Sequence, residues 1–163
     1  MIYLCSPQYI KTNFGVDSNT DDALITTAIH DAQEIDVRQL IGAEFLDDLK
    51  NKFATSTLNS DEKALIDLHI RPTIARYSLY FLSMLLNNRF TARGVVQKES
   101  DSSSVIGSED LNLFRRELRN YADFHAKAMI DYLNDNKSKF PLYRCGRSPY
   151  GLSWAMSGYQ NLK

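Results

Sequence analysis

Apolar residues recur every three or four positions through most of this chain, and that spacing limits it to a helical fold. The pattern is clear in four stretches, which begin near Thr20, Phe45, Ser60 and Ile74, and again after Ser108. Side chains at this spacing share one face of an α-helix. A length of 163 residues is typical of a single domain. The sequence therefore predicts an all-α bundle of four to five helices over residues 20–136.

The stretch Ile74–Phe90 is apolar on nearly every side, which favours a helix buried at the centre of the bundle. Pro72 precedes it and is expected to end or kink the helix before it. The predicted core is a set of large apolar side chains: Tyr77, Phe81, Leu82, Leu85, Phe114, Leu118 and Tyr121.

The last helix is predicted to start at Ser108 and to be long and straight. Its apolar positions alternate steps of three and four, as in a seam packed along a partner. These positions are Leu111, Phe114, Leu118, Tyr121, His125, Ala128 and Tyr132. Elsewhere, Thr20 is predicted to cap the first helix, Gly42 to break the chain between helices, and residues 94–107 to form a short loop or hairpin.

Both ends of the chain are predicted to be extended arms. Residues 1–19 carry Pro7, Gly15 and polar turn formers. Residues 137–163 carry five positive charges and no acidic residue; since the whole chain sums to −1, residues 1–136 sum to −6. This last segment is rich in aromatics and is interrupted by proline and glycine, which argues against a helix. It is typical of a segment that becomes ordered on another surface, although folding back on its own bundle and a floppy tail are alternatives.

The C-terminal arm is expected to leave the bundle near Pro141 and to carry the partner-binding residues. Aromatic side chains and arginines dominate the energetics of many interfaces. The candidates are Arg144, Arg147, Tyr150, Trp154 and Tyr159.

No catalytic, cofactor-binding or metal-binding motif is found. The chain has no glycine-rich phosphate loop and no His/Cys spacing typical of zinc. Cys5 and Cys145 are expected to be free thiols. Arg115, Arg116 and Arg119 form a basic patch on the last helix, expected to make ion pairs with neighbouring acids or, alternatively, an inter-subunit or phosphate contact.

The near-neutral charge of −1 argues against a dedicated nucleic-acid-binding protein. The N-terminus lacks the pattern of a signal peptide, and no apolar run is long enough to span a bilayer. The protein is therefore expected to be made in a cytoplasm and to have no membrane partner.

A series of short motifs narrows the class of protein. These are Ala28-Ile29-His30-Asp31-Ala32-Gln33, Ile35, Gln39-Leu40-Ile41-Gly42, Phe45-Leu46-Asp47-Asp48-Leu49, Leu68-His69-Ile70-Arg71-Pro72, Thr91-Ala92-Arg93-Gly94-Val95, and Tyr132-Leu133 with Phe140-Pro141-Leu142-Tyr143. Their order and spacing resemble the head–tail connector proteins (adaptors or neck rings) of tailed phages, closest to those of crAss-like and other Bacteroidetes-infecting phages. The resemblance covers residues 20–143, and no motif matches beyond Tyr143.

The resemblance implies a structural virion protein and not an enzyme. Similar proteins form a homo-oligomeric ring, commonly a dodecamer of about twelve copies joined head to tail, in the neck beneath the portal. Such a ring extends the channel for genome ejection and gives the tail a docking surface. The implied partners are other copies of the chain, the portal protein, further neck or tail proteins, and phage DNA that passes without sequence-specific contact. The channel surface is expected not to be strongly basic, because dense cations would hold phosphates.

Two other functions are consistent with the residues alone. A cytoplasmic helical regulatory or nucleic-acid-binding module would bind DNA in a salt-dependent way. A small helical enzyme would need a pocket with convergent ionisable groups. A connector additionally predicts that the 94–107 loop is mobile in the free subunit and contacts a neighbour in the assembly.

Overall fold

The computed structural model describes residues 1–91, 94–97 and 108–144. The helices within these residues are α1 Pro7–Asn13, α2 Asp22–Asp31, α3 Arg38–Ile41, α4 Ala43–Ala54, α5 Ser60–Leu65, α6 Arg71–Asn87 and α7 Ser108–Asp135, with π-helical segments at Ala32–Val37 and Ile66–Ile70 and a 3₁₀ turn at Lys137–Lys139. The π-helical segments join α2 to α3 and α5 to α6 without a break. The described chain therefore forms five continuous helices, and the predicted all-α bundle is confirmed.

The helix starts follow from side-chain capping. The Asp21 carboxylate, rather than the expected Thr20, caps α2 by accepting the Ala23 N–H at 2.8 Å. Asn59 caps α5 in a reciprocal capping box, in which its side chain accepts the Glu62 N–H at 2.8 Å and the Glu62 carboxylate accepts the Asn59 N–H at 2.9 Å. Each cap satisfies backbone donors that the first helical turn leaves free.

Gly42 separates α3 from α4, as predicted. Its φ of 91° lies in a region that L side chains rarely adopt. A Cβ at this position would also lie 3.4 Å from the Arg144 carbonyl oxygen, so the C-terminal chain passes close to this turn.

Pro72 does not end the helix that precedes it. The chain passes from Ile66–Ile70 into α6 with Arg71 in the α-helical region. A proline in a regular helix clashes with the carbonyl four residues earlier and offers no N–H to it. The wider π turn before Pro72 accommodates this proline, and the helical path continues.

Helix α6 lies at the centre of the bundle, packed against both α2 and α7, as its composition predicted. Tyr77 and Leu82 are buried as expected. Phe81, Leu85 and Leu118 are only partly buried.

The expected burial of Phe114 and Tyr121 was wrong: both are exposed. Helix α7 is rotated relative to the predicted seam, and its fully buried positions are Ala122, Ala126, Met129 and Leu133. The small side chains at two of these positions allow α6 and α7 to approach closely, so the large aromatics are turned away from the core.

The N-terminal segment is not simply extended, as residues 1–19 were expected to be. It contains α1, which Ser6 caps and whose Ile10 is fully buried. The Gln33 side chain also holds the chain before α1. Its oxygen accepts the Leu4 N–H at 3.0 Å, and its nitrogen donates to the Ile2 carbonyl at 3.1 Å. Arg71 completes the attachment by donating to the Leu4 carbonyl at 2.9 Å.

The first part of the C-terminal segment also belongs to the bundle, which corrects the expected exit near Pro141. Phe140 and Tyr143 are buried, with ring centroids 5.9 Å and 6.2 Å from that of Phe45. Apolar burial of two aromatic rings outweighs the extended path expected from proline and glycine content. The chain therefore stays on the bundle until at least Tyr143.

A hairpin connects α6 towards α7. Strand β1, Asn88–Thr91, pairs antiparallel with β2, Gly94–Gln97, in the register Asn88↔Gln97 and Thr91↔Gly94. The hairpin begins before the predicted 94–107 segment, and residues 98–107 lie outside the described residues. No helix in the described part of the chain has the length and apolarity needed to cross a membrane.

Candidate assembly surface

An exposed apolar stripe runs along α7. Phe114, Tyr121 and Phe124 have 47%, 60% and 69% of their surface exposed, and Leu113 is exposed beside them. Spacings of seven and three residues place the three rings on one side of the helix. We call Leu113, Phe114, Tyr121 and Phe124 the α7 stripe. A contiguous group of exposed aromatic side chains is typical of an interaction surface, whereas single exposed apolar residues are common.

A cation on α6 supports one ring of the stripe. The Arg76 guanidinium carbon lies 5.8 Å from the Tyr121 ring centroid and 4.9 Å from that of Phe14. His125 packs edge-on against Phe124 at 5.8 Å. Burial, with a smaller contribution from Arg76, lowers the pKa of His125. Two rings of the stripe, Tyr121 and Phe124, therefore each lie against another side chain of the bundle.

A polar cluster beneath α7 fixes the rotation of the helix. Arg119 Nη2 donates to Asp36 Oδ1 at 2.8 Å, and the Tyr77 hydroxyl donates to Asp123 Oδ1 at 2.7 Å. The Arg119 guanidinium also lies over the Tyr77 ring at 4.6 Å. We call Asp36, Tyr77, Arg119 and Asp123 the Asp36 cluster. It joins the α2–α3 helix, α6 and α7, and it holds α7 with the stripe facing outward.

Electrostatics within this cluster follow from burial. Burial raises the pKa of Asp36, opposed by the adjacent Arg119 charge. Burial and the hydrogen bond to Asp123 raise the pKa of Tyr77. The second carboxylate oxygen of Asp36 has no hydrogen-bond partner within the described residues. The cluster acts as a structural tie between helices, since its charged groups pair with one another.

The outer surface of α7 carries an excess of acidic groups. Exposed carboxylates without an ion-pair partner among the described residues are Glu109, Asp110, Glu117 and Asp135. Arg116 is exposed and likewise has no ion-pair partner in the described part of the chain, whereas Lys127 pairs with Asp131 at 2.6 Å. Glu117 lies within the stripe, three residues after Phe114 and four before Tyr121, and the other carboxylates make the surroundings mainly negative.

The predicted basic patch on α7 divides into three roles. Arg119 makes the expected ion pair, with Asp36. Arg115 donates to the Ser83 carbonyl at 3.2 Å, and among the described residues it makes no ion pair. Arg116 remains exposed. Two of the three arginines therefore serve contacts within the subunit.

Only one of the five predicted partner-binding residues lies within the described part of the chain. Arg144 is exposed at the end of the described chain. Arg147, Tyr150, Trp154 and Tyr159 lie outside the described residues. Sequence reasoning does not identify the stripe as a site, because it places two of the three aromatics, Phe114 and Tyr121, in the core and gives Phe124 no role. Helix α7 has more apolar positions than one seam requires, and that excess was the available signal.

One surface hollow has polar as well as apolar walls. Its volume is about 420 Å³, and it is lined by Phe53, Ser56, Leu58, Lys63, Ile66, Asp67 and Arg71. Arg71 already pairs with Asp67 at 2.6 Å and holds the Leu4 carbonyl. In the described residues, no three His, Cys, Asp or Glu side chains form a metal-binding group.

Comparison with known proteins places the chain in a family. A family of unknown function (DUF6712) matches residues 37–149, which run from the end of the first π-helical segment to beyond Tyr143. Searches of curated proteins and of solved structures gave no match. Since the matched region includes more than half of the sequence, the chain belongs to the DUF6712 family.

Proposed function

We propose that this protein is a structural virion component, a subunit of a head–tail connector ring beneath the portal of a tailed phage. The ring extends the DNA channel and gives the tail a docking surface. The observation that carries the proposal is the α7 stripe, because a subunit that leaves three aromatic rings exposed on one helix is suited to assembly.

The motifs that resemble connector proteins support the same proposal. Several of their residues have definite structural tasks: Gln33 and Arg71 hold the N-terminal segment, and Gly42 makes the turn beside Arg144. The motifs thus include residues that attach the N-terminal segment and the chain near Arg144 to the bundle. The resemblance to connector proteins therefore concerns residues that determine the fold. We infer the assembly function from this resemblance together with the α7 stripe.

Nucleic-acid recognition is less well supported. A DNA-binding module needs a row of free cations to neutralise phosphates. On α7, Arg115 and Arg119 are engaged within the subunit, and the outer surface carries mainly carboxylates that have no ion-pair partner among the described residues. This charge distribution suits a ring through which DNA slides better than a module that retains DNA.

Electron microscopy of the full chain, alone and mixed with the portal protein of the same phage, tests the proposal. We expect closed rings of about twelve copies with an axial channel, bound to one face of the portal. A chain that stays monomeric at high concentration and does not bind portal would contradict it. Salt-sensitive binding to DNA duplexes without ring formation would favour the nucleic-acid-binding alternative.

A further inference from the structure

We propose that the α7 stripe of one subunit receives the C-terminal segment 145–163 of a second copy. This inference rests on the proposed ring, and it assigns both sides of one inter-subunit contact. The acceptor is the stripe, built from exposed aromatics on a helix whose rotation the Asp36 cluster fixes. The donor is a segment with Tyr150, Trp154 and Tyr159.

Charge complementarity supports this occupant. The donor segment contains Arg147 and Lys163 and no acidic residue. The exposed carboxylate of Glu117 lies within the acceptor, and those of Glu109 and Asp110 lie one turn before Leu113 and Phe114. An aromatic and basic segment against an apolar and acidic helix face satisfies both the apolar and the electrostatic requirement of an interface.

The length and starting point of the donor segment also fit. The described chain ends at Arg144, held by the contact of Tyr143 with Phe45 and by the approach of Arg144 to Gly42. Nineteen residues follow Arg144. In extended form they reach about 60 Å, whereas Phe114 and Phe124 are separated by only about 15 Å along α7. The segment can therefore leave its own bundle and still cover the whole stripe of a neighbour.

A second copy is favoured over the same copy because of symmetry. A closed head-to-tail ring needs two different surfaces on each subunit that fit one another. A donor segment and an acceptor stripe at different places on one chain meet that requirement. A segment folded onto its own stripe would cover the acceptor and leave neither surface for the neighbour.

Trp154 makes this contact measurable in the full chain, since it is the only tryptophan. We would record its fluorescence emission while diluting the assembled protein. The expected result is blue-shifted emission in the oligomer and red-shifted emission in the monomer, with the change following the oligomer fraction. Blue-shifted emission that does not change with dilution would place the segment on its own subunit and overturn the proposal. An oligomer in which Trp154 stays red-shifted would also overturn it.

Substitutions locate the acceptor. We expect the double variant Tyr121→Ser, Phe124→Ser to need at least about tenfold more protein to assemble, because both rings are central anchors. Leu68→Ser is the matched control: Leu68 is 70% exposed, similar to Phe124 at 69%, but it belongs to the π-helical segment Ile66–Ile70 and not to the α7 stripe. It should leave assembly and emission unchanged. Circular dichroism would verify that both variants remain folded.

A crosslink identifies the donor chain. A photoreactive phenylalanine analogue at position 124 in one copy, mixed with a mass-labelled second copy, should form a crosslink to residues 145–163 of the labelled copy. Crosslinks only within the same copy would contradict the proposal.

The experiments also separate this contact from the connector function. Rings that form normally in the double variant Tyr121→Ser, Phe124→Ser would reject the contact and leave the connector function unaffected. Dilution-dependent burial of Trp154 without rings or portal binding would support the contact and reject the connector function.

Discussion

At the residue scale, the Gln33 side chain makes hydrogen bonds to the backbone of the N-terminal segment, as a neighbouring strand would in a sheet. Its amide presents an acceptor to the Leu4 N–H and a donor to the Ile2 carbonyl, and it is completely buried. Buried backbone groups need partners, and no regular element of the described chain pairs with these two. This side chain therefore contributes to the attachment of the segment beside the Arg71 hydrogen bond and the burial of Leu4.

Replacing Gln33 by Met tests that role, since Met keeps the side-chain length and removes the hydrogen bonds to Leu4 and Ile2, together with the one that Gln33 donates to Glu34 Oε1 at 3.1 Å. We expect the free energy of unfolding to fall by about 2 kcal/mol, because buried polar groups left without partners cost about 1–3 kcal/mol each. Urea denaturation measures the change, and hydrogen exchange at Leu4 should become faster. Gln8→Met is the control: Gln8 is exposed, so its change should stay within about 0.5 kcal/mol. Equal effects of the two variants would show that the attachment lies elsewhere.

The histidines predict a pH dependence of stability. Burial lowers the pKa of His69, which stacks on Tyr132 at 4.2 Å, and burial with Arg76 lowers that of His125. Just below pH 6.5 the unfolded state therefore binds more protons than the folded state. Their contribution is fully present above the unfolded pKa and is lost as pH falls through this window.

We therefore expect the melting temperature to rise between about pH 5.5 and pH 7.5, the range in which unperturbed histidine titrates. The double variant His69→Gln, His125→Gln should show a smaller rise over the same range. The comparison uses the slope, since losing the His69 stack also changes absolute stability. An unchanged slope in the variant would assign the pH dependence to other groups.

At the element scale, the rotation of α7 predicts opposite outcomes for two nearby alanines. Ala126 is buried, whereas Ala128, which the sequence placed in the seam, is exposed. Ala126→Leu should destabilise the fold by about 1–3 kcal/mol through overpacking. Ala128→Leu should change it by less than about 0.5 kcal/mol. Denaturant unfolding measures the free energy of unfolding of the two variants. A larger loss for Ala128→Leu than for Ala126→Leu would favour the seam predicted from the sequence.

The recurrence of apolar residues every three or four positions predicted the helices well, because it indicates which segments have one apolar face. It did not give the rotation of α7, since Phe114 and Tyr121 are more hydrophobic than Ala122 and Ala126. The structure instead depends on close approach to α6 and on the pair Arg119–Asp36, which joins positions 83 residues apart. Contacts of that separation leave no local pattern in the sequence.

The lack of a local pattern for long-range contacts also explains why the N-terminal segment and the chain from Phe140 to Tyr143 were predicted incorrectly. Proline, glycine and the lack of helical spacing indicated extended arms, but the structure has α1 in the N-terminal segment and a 3₁₀ turn at Lys137–Lys139 before Pro141. The sequence pattern could not show that Phe140 and Tyr143 meet Phe45, or that Leu4 meets Gln33 and Arg71, because these contacts are long-range. The predicted partner-binding residues beyond Arg144 remain predictions, and the exposed stripe is the part of the candidate surface that only the structure reveals.

At the scale of the whole molecule, the N-terminal segment and the chain from Phe140 to Arg144 are fastened to the bundle through residues of the recognised motifs. Gln33 and Arg71 hold the N-terminal segment, while Gly42 and Phe45 lie against the chain from Phe140 to Arg144. The two attachments lie on consecutive helices between residues 22 and 87. The core of such a subunit is completed by Phe140 and Tyr143, while the α7 stripe stays exposed and available for assembly.

Two truncations separate folding from assembly on this basis. A chain that ends at Arg144 keeps Phe140 and Tyr143, so we expect its free energy of unfolding to stay within about 1 kcal/mol of the full chain. A chain that ends at Asn136 loses both buried aromatics, and the loss of a buried phenylalanine alone costs about 3–5 kcal/mol.

The shorter chain should therefore be strongly destabilised, and the longer one should be a folded monomer that no longer forms rings or joins particles. Denaturant unfolding measures the first property, and sedimentation with electron microscopy measures the second. Similar instability of both truncations would move the folding boundary beyond Arg144. Normal rings from the chain that ends at Arg144 would show that residues 145–163 are not the assembly element, because the α7 stripe would then have found its partner without them.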